Sequence, residues 1–198
     1  MAVQRFDRAW LPATPWKNGG GVTREIVCQP PGASLEGFEW RVSIAHIASD
    51  GPFSAFPGVD RVITLLEGAG VRLQAMDGPF DHRLDSPLDP FAFDGEIPVT
   101  GTLLAGHCHD FNVMTRRAAW RASVRVCRSA TTEAAPAGVL MAVRGIWSAH
   151  AHSLAPGEGL WWSDEALSWS LSCSEPGAAL LAVAVHPNRP HELAPVRH

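Results

Sequence analysis

The sequence contains no tyrosine and only one lysine among its sixteen lysine and arginine residues. The first absence excludes any tyrosine-based acid or nucleophile. The second leaves Lys17 as a lone ammonium in a chain that otherwise uses arginine. It stands in PWKNGGG, either as a chance retention or as a compact point charge in a site too tight for a planar guanidinium fork. The four cysteines, Cys28, Cys108, Cys127 and Cys173, form no CxxC pair, so neither a zinc knuckle nor a thioredoxin-like site is signalled, and reduced thiols are expected. No apolar run approaches the roughly 18 residues of a membrane span. The opening MAVQRFDRAW carries charges where a secretory leader would be apolar, so the expected location is the cytoplasm and no membrane partner is expected. A net charge of -4 offers no basic face for a phosphate backbone, which argues against nucleic acid as a partner. Arg121, Arg125 and Arg128 read as one solvated side of a strand and its flank. A GxSxG nucleophile elbow and a dinucleotide fingerprint are both missing.

What is present is strand pattern. The chain has 198 residues, 46% of them hydrophobic, enough for one domain or two small fused modules that bury about 70% of the unfolded surface. Helical periodicity is almost absent. Runs such as WRVSIAHI (40–47), RVITLLEG (61–68), FNVMTRR (111–117) and ALSWSLSCS (166–174) are strand-like, and several alternate with period two. Glycine and proline clusters separate them. Short strands at near-regular spacing predict an all-β sandwich or barrel of the jelly-roll kind, as two packed modules joined between about 115 and 120. EAAPAG (133–138) has the composition of a short helix, against which its proline argues.

Three segments carry polar chemistry. PWKNGGGVTREI (15–26) joins Trp16, Lys17 and Asn18 to three glycines that permit close approach to the backbone, then to a strand bearing Thr23. It is either a ligand loop feeding a strand or a bulged, close-packed strand entry. DGPFSAFPGVDR (50–61) is a turn-rich loop with Phe53 and Phe56, ending at Arg61. Arg61 and Arg41 are each either exposed or carboxylate clamps, and Ser43 shares the face of Arg41. In HCHDFNVMTRR (107–117), Asp110, Asn112 and Met114 alternate on one face, suited either to lining a polar pocket or to a capped strand start in which Asp110 bonds the backbone. His107 and His109 have the HxH spacing that puts both rings on one face of a strand, which is metal-capable, although a solvated turn fits the surroundings better. Glu25, Glu67 and Asp110 pair only if the fold brings them together. Trp161 and Trp162 are adjacent and face opposite ways in a strand, so one is expected outside the core, where it suits a homodimer or partner interface.

PWKNGGGVTREI, FEWRVSIAHIASDGPFSAFPGVDRVITLLEG and DFNVMTRR together resemble the HutD/Ves family of bacterial proteins. The resemblance implies a cupin-like (RmlC-like jelly roll) fold of two fused modules forming one compact unit: an N-terminal module over 1–117 carrying the pocket motifs and a C-terminal module over 118–198. It implies a regulatory factor of histidine utilisation that binds a small carboxylate, with N-formylglutamate the proposed ligand, and that holds no metal or other cofactor. The Ves branch is linked instead to an environmental or cold response. The site expected from motif and chemistry together is Trp16, Lys17, Asn18, Gly19, Gly20, Thr23, Arg41, Ser43, Phe56, Arg61, Asp110, Asn112 and Met114. Lys17, Arg41 and Arg61 would meet carboxylates, and Asn18 and Asn112 a formamide. The alternatives are a cupin-type isomerase or hydrolase acting on a small polar acid, whose sign would be a pocket carboxylate with a raised pKa, and a structural partner protein.

Overall fold

The computed structural model describes residues 3–188. Among them the chain forms nineteen strands and no helix. In chain order these are β1 (Gln4–Asp7), β2 (Ala13–Pro15), β3 (Gly21–Gln29), β4 (Trp40–Ile47), β5 (Gly51–Phe53), β6 (Val59–Glu67), β7 (Val71–Ala75), β8 (Asp81–Leu84), β9 (Pro90–Asp94) and β10 (Val99–Leu103). There follow β11 (Cys108–Arg116), β12 (Trp120–Cys127), β13 (Thr131–Ala135), β14 (Ala137–Arg144), β15 (Trp147–Ala149), β16 (His152–Leu154), β17 (Glu158–Trp162), β18 (Leu167–Ser172) and β19 (Ala179–Pro187).

The strands make four antiparallel sheets. The order β2-β3-β4-β11-β6-β9 faces β5-β10-β7-β8, and the order β1-β17-β14-β19-β12 faces β13-β18-β15-β16. Three apolar layers fill the gaps. Ile47, Ile63, Leu65, Leu73, Val99 and Cys108 fill the first pair of sheets, and Trp147, Trp162, Trp169, Leu160 and Leu180 fill the second. The third layer joins the six-stranded and five-stranded sheets back to back through Trp40, Val42, Ile44, Phe111 and Val113 against Val139, Met141, Leu181, Val183 and Val185. Strands at this central layer are covered on both faces, so β14 (AGVLMAVR) and β19 (ALLAVAVHP) are almost continuously apolar. The edge strand β12 alternates instead, with Arg121 and Arg125 exposed.

Two local readings of the sequence are corrected. EAAPAG forms no short helix: β13 and β14 flank Pro136, and Glu133 and Ala135 are buried while Ala134 is exposed, a period of two. His107 precedes β11 rather than sitting in it. β1 pairs with β17, Phe6 opposite Gly159, and so adds its strand to a sheet otherwise made from the C-terminal half. A Cβ on Gly159 would come 2.3 Å from the Phe6 ring. Trp162 is buried, and Trp161 is half-buried against the central layer.

Candidate functional site

The concave face of the six-stranded sheet is polar in its middle. Strand register sets side chains there in rows: Thr23, Ala45, Asp110 and Leu65; then Glu25, Ser43, Asn112 and Ile63; then Cys28, Arg41, Met114, Arg61 and Phe93. A bulge in β3 after Glu25 restores Cys28 to this face. Asp110, Asn112 and Met114 share the face because Phe111 and Val113, between them, enter the central layer. The polar band lies between two apolar clusters, one built on Ile47, Leu65 and Cys108 and the other on Phe38, Val59 and Met114.

Arg61 is the dominant feature of this band. It is 6% exposed, and its guanidinium carbon lies 5.2 Å from the Phe93 ring centre and 5.7 Å from those of Phe53 and Phe56. Three rings presenting their negative faces hold a desolvated cation without neutralising it. Its Nη1 donates a 3.4 Å hydrogen bond to the Ser54 carbonyl, and its Nε is buried with no partner among the described residues. Burial lowers its pKa to about 10, opposed by the Asp110 charge. Asp110 is 2% exposed and its Oδ1 has no partner among the described residues; burial pushes its pKa up to about 7, opposed by Arg61. Asn112 Oδ1 is likewise buried without a partner. A buried polar atom left unpaired costs about 1–3 kcal/mol, so three on one concave face describe a surface prepared for a polar guest.

The other expected residues fall at different depths. Arg41 lies near the rim, where its Nε donates to Glu25 at 2.7 Å. Trp16 donates from Nε1 to the Thr23 hydroxyl at 2.8 Å and meets Phe53 edge-on at 6.4 Å, while Phe56 packs on Phe38. Ser43 is buried between Glu25 and Asn112. Lys17 is exposed and forms no ion pair among the described residues. Asn18 turns back to accept the Gly20 N–H at 3.0 Å. The glycines answer local needs. Gly19 has φ 72°, Gly20 lies against Ser49 and Asn18, and a Cβ on Gly21 would stand 2.2 Å from the His46 carbonyl. The three candidate carboxylates do not pair: Glu25 binds Arg41, Glu67 binds Arg8, and Asp110 stands apart on the concave face. Phe53 and Phe93 complete the sleeve around Arg61. Phe93 had no sequence signal, since it lies across the sheet from Arg61 in register.

Paired antiparallel sheets enclosing a mixed polar and apolar interior define a cupin-like barrel protein. A cupin barrel protein from Leptotrichia buccalis superposes with a TM-score of 0.59 at 9% identity, covering 92% of this chain and 96% of its own, a likeness of fold alone. HutD from Pseudomonas fluorescens SBW25, solved in a formate condition, superposes with a TM-score of 0.83 at 30% identity over 95% of this chain and 100% of its own. Protein Ves of Cronobacter sakazakii is 45% identical over 164 residues, 82% of this chain and 88% of the relative. The HutD family model matches residues 8–181, and the chain belongs to the HutD family.

Proposed function

We propose that the chain is a non-enzymatic, cytoplasmic regulatory protein of histidine utilisation that binds a small carboxylate, N-formylglutamate or a similar acid, in its N-terminal barrel without metal. The observation that carries this reading is the buried Arg61 guanidinium, held by three aromatic rings with its Nε unpaired. A guanidinium in that state matches a carboxylate better than any other common anion except phosphate. Asn112 Oδ1 and Asp110 Oδ1, also unpaired, are acceptors that suit a ligand donating an N–H, as a formamide does. Met114 and Phe56 would cover the ligand's apolar carbons.

Thermal-shift titration of metal-stripped protein tests the reading, with glutamate, formate, urocanate and histidine as controls. Ligand at about 100 times Kd stabilises by about 2.7 kcal/mol, roughly 5–10 °C for a chain of this size. A rise with N-formylglutamate that disappears in Arg61→Met supports it. No rise with any of these acids at millimolar concentration overturns it.

A second reading, an isomerase or hydrolase acting on a small polar acid, is favoured by one observation. Asp110 is a buried carboxyl with a pKa near neutrality, as a general acid or base requires. Turnover of the bound acid that stops in Asp110→Asn would select it.

A further inference from the structure

On the opposite face of the six-stranded sheet, away from Arg61, three imidazoles come together. His46 on β4 pairs in register with His109 on β11, and their rings stack with centres 4.7 Å apart. The His107 ring lies 5.1 Å from that of His46 and 6.3 Å from that of His109. Glu67 joins them because of a register shift: β11 pairs His109 with Glu67 but Asp110 with Leu65, so the irregularity carries the carboxylate to the histidine face. Glu67 Oε2 stands 3.6 Å from His109 Nδ1, and its other oxygen is held by Arg8. Gly68 fixes the spacing, since a Cβ there would meet the His107 carbonyl at 2.6 Å.

We infer that His46, His107, His109 and Glu67 form a surface site for a divalent transition ion, zinc or nickel by ligand type. Imidazole nitrogens bind zinc at about 2.0–2.1 Å, which puts tetrahedrally arranged ring centres about 5.3 Å apart and neighbouring donor atoms about 3.4 Å apart. The three ring separations bracket the first figure. The 3.6 Å Nδ1–Oε2 distance is long for a hydrogen bond and close to the second. The donor atoms do not converge on one centre in the structure, so binding requires the partly exposed rings to turn about their side-chain torsions. Arg8 pairs with the other Glu67 oxygen and restrains the carboxylate, as an outer partner does at metal centres. This site is independent of the Arg61 face, so either can fail without the other.

Calorimetric titration of zinc(II) into tag-free, chelator-stripped full-length protein tests it, with cobalt(II) visible absorption as the report on geometry. One ion per chain is expected, with the intense bands of tetrahedral cobalt(II). His46→Ala, His107→Ala and His109→Ala should each weaken binding at least tenfold, Glu67→Gln less, and His152→Ala not at all. His107 is exposed, so its variant keeps the assay informative if the others fold poorly. Binding unchanged in the His107 and His109 variants, or no binding by the wild-type chain, overturns the inference.

Discussion

Arg61 and Asp110 are both buried on the concave face of one sheet, yet each keeps a side-chain atom that no hydrogen bond satisfies among the described residues. Their charges act on each other, but desolvation outweighs the attraction at both groups. The pair is therefore poised for a third party rather than closed on itself.

Arg61→Lys should bind a carboxylate probe at least tenfold more weakly, because a compact ammonium loses both the fork and the stacking on Phe53, Phe56 and Phe93. Arg61→Met should abolish binding and also cost stability above about pH 7, because Asp110 is left buried with its opposing cation gone. Calorimetry with the acid and urea melts of each variant separate the two effects.

Asp110 gives the stability curve a defined slope. Its folded pKa, about 7, lies above its unfolded value, so the folded state holds a proton that the unfolded state has already lost. Stability from this group falls as pH rises from about 4 to 7 and is level on either side. Asp110→Asn removes the titration. Its stability relative to wild type should rise across that window, by at most about 4 kcal/mol. Urea midpoints at pH 4.5 and pH 8 check this; parallel curves would refute it.

Gly21→Ala should destabilise by several kcal/mol, because its Cβ would stand 2.2 Å from a carbonyl that is itself in a strand. Gly19→Ala, with open space around it but φ 72°, should cost only about 1 kcal/mol. Thermal melts of the two variants distinguish close approach from backbone conformation as the reason for the glycine run.

Phe6→Ala should cost about 3–5 kcal/mol, more than is usual for a residue in a four-residue edge strand, because its ring fills the central layer. Denaturation monitored by tryptophan fluorescence reads the loss.

The sequence carried the strands well, because period-two alternation is local. Asp110, Asn112 and Met114 share a face as their spacing required. The PWKNGGG and GPFSAFPG strings pointed to the family that the HutD model and the Ves relatives establish. What the letters could not carry is long-range register. Phe93 reaches Arg61, and His46 reaches His109, only through pairing between strands distant in the chain. The register shift that brings Glu67 to His109 changes the side of the sheet a residue faces, and no local pattern announces it. The isolation of Lys17 in the composition has no counterpart in the structure, where it stands exposed.

The pairing of β1 with β17 also sets a timetable for folding. Arg5 and Glu158, bonded across these strands, are 153 residues apart. On the ribosome, at about 5–20 residues per second, β1 would wait roughly 8–30 seconds for its partner. Closure of so long a loop comes late in a topology rich in distant contacts. The apolar Phe6 is then a temporary liability during synthesis, parted from the sheet it completes until β17 has been made.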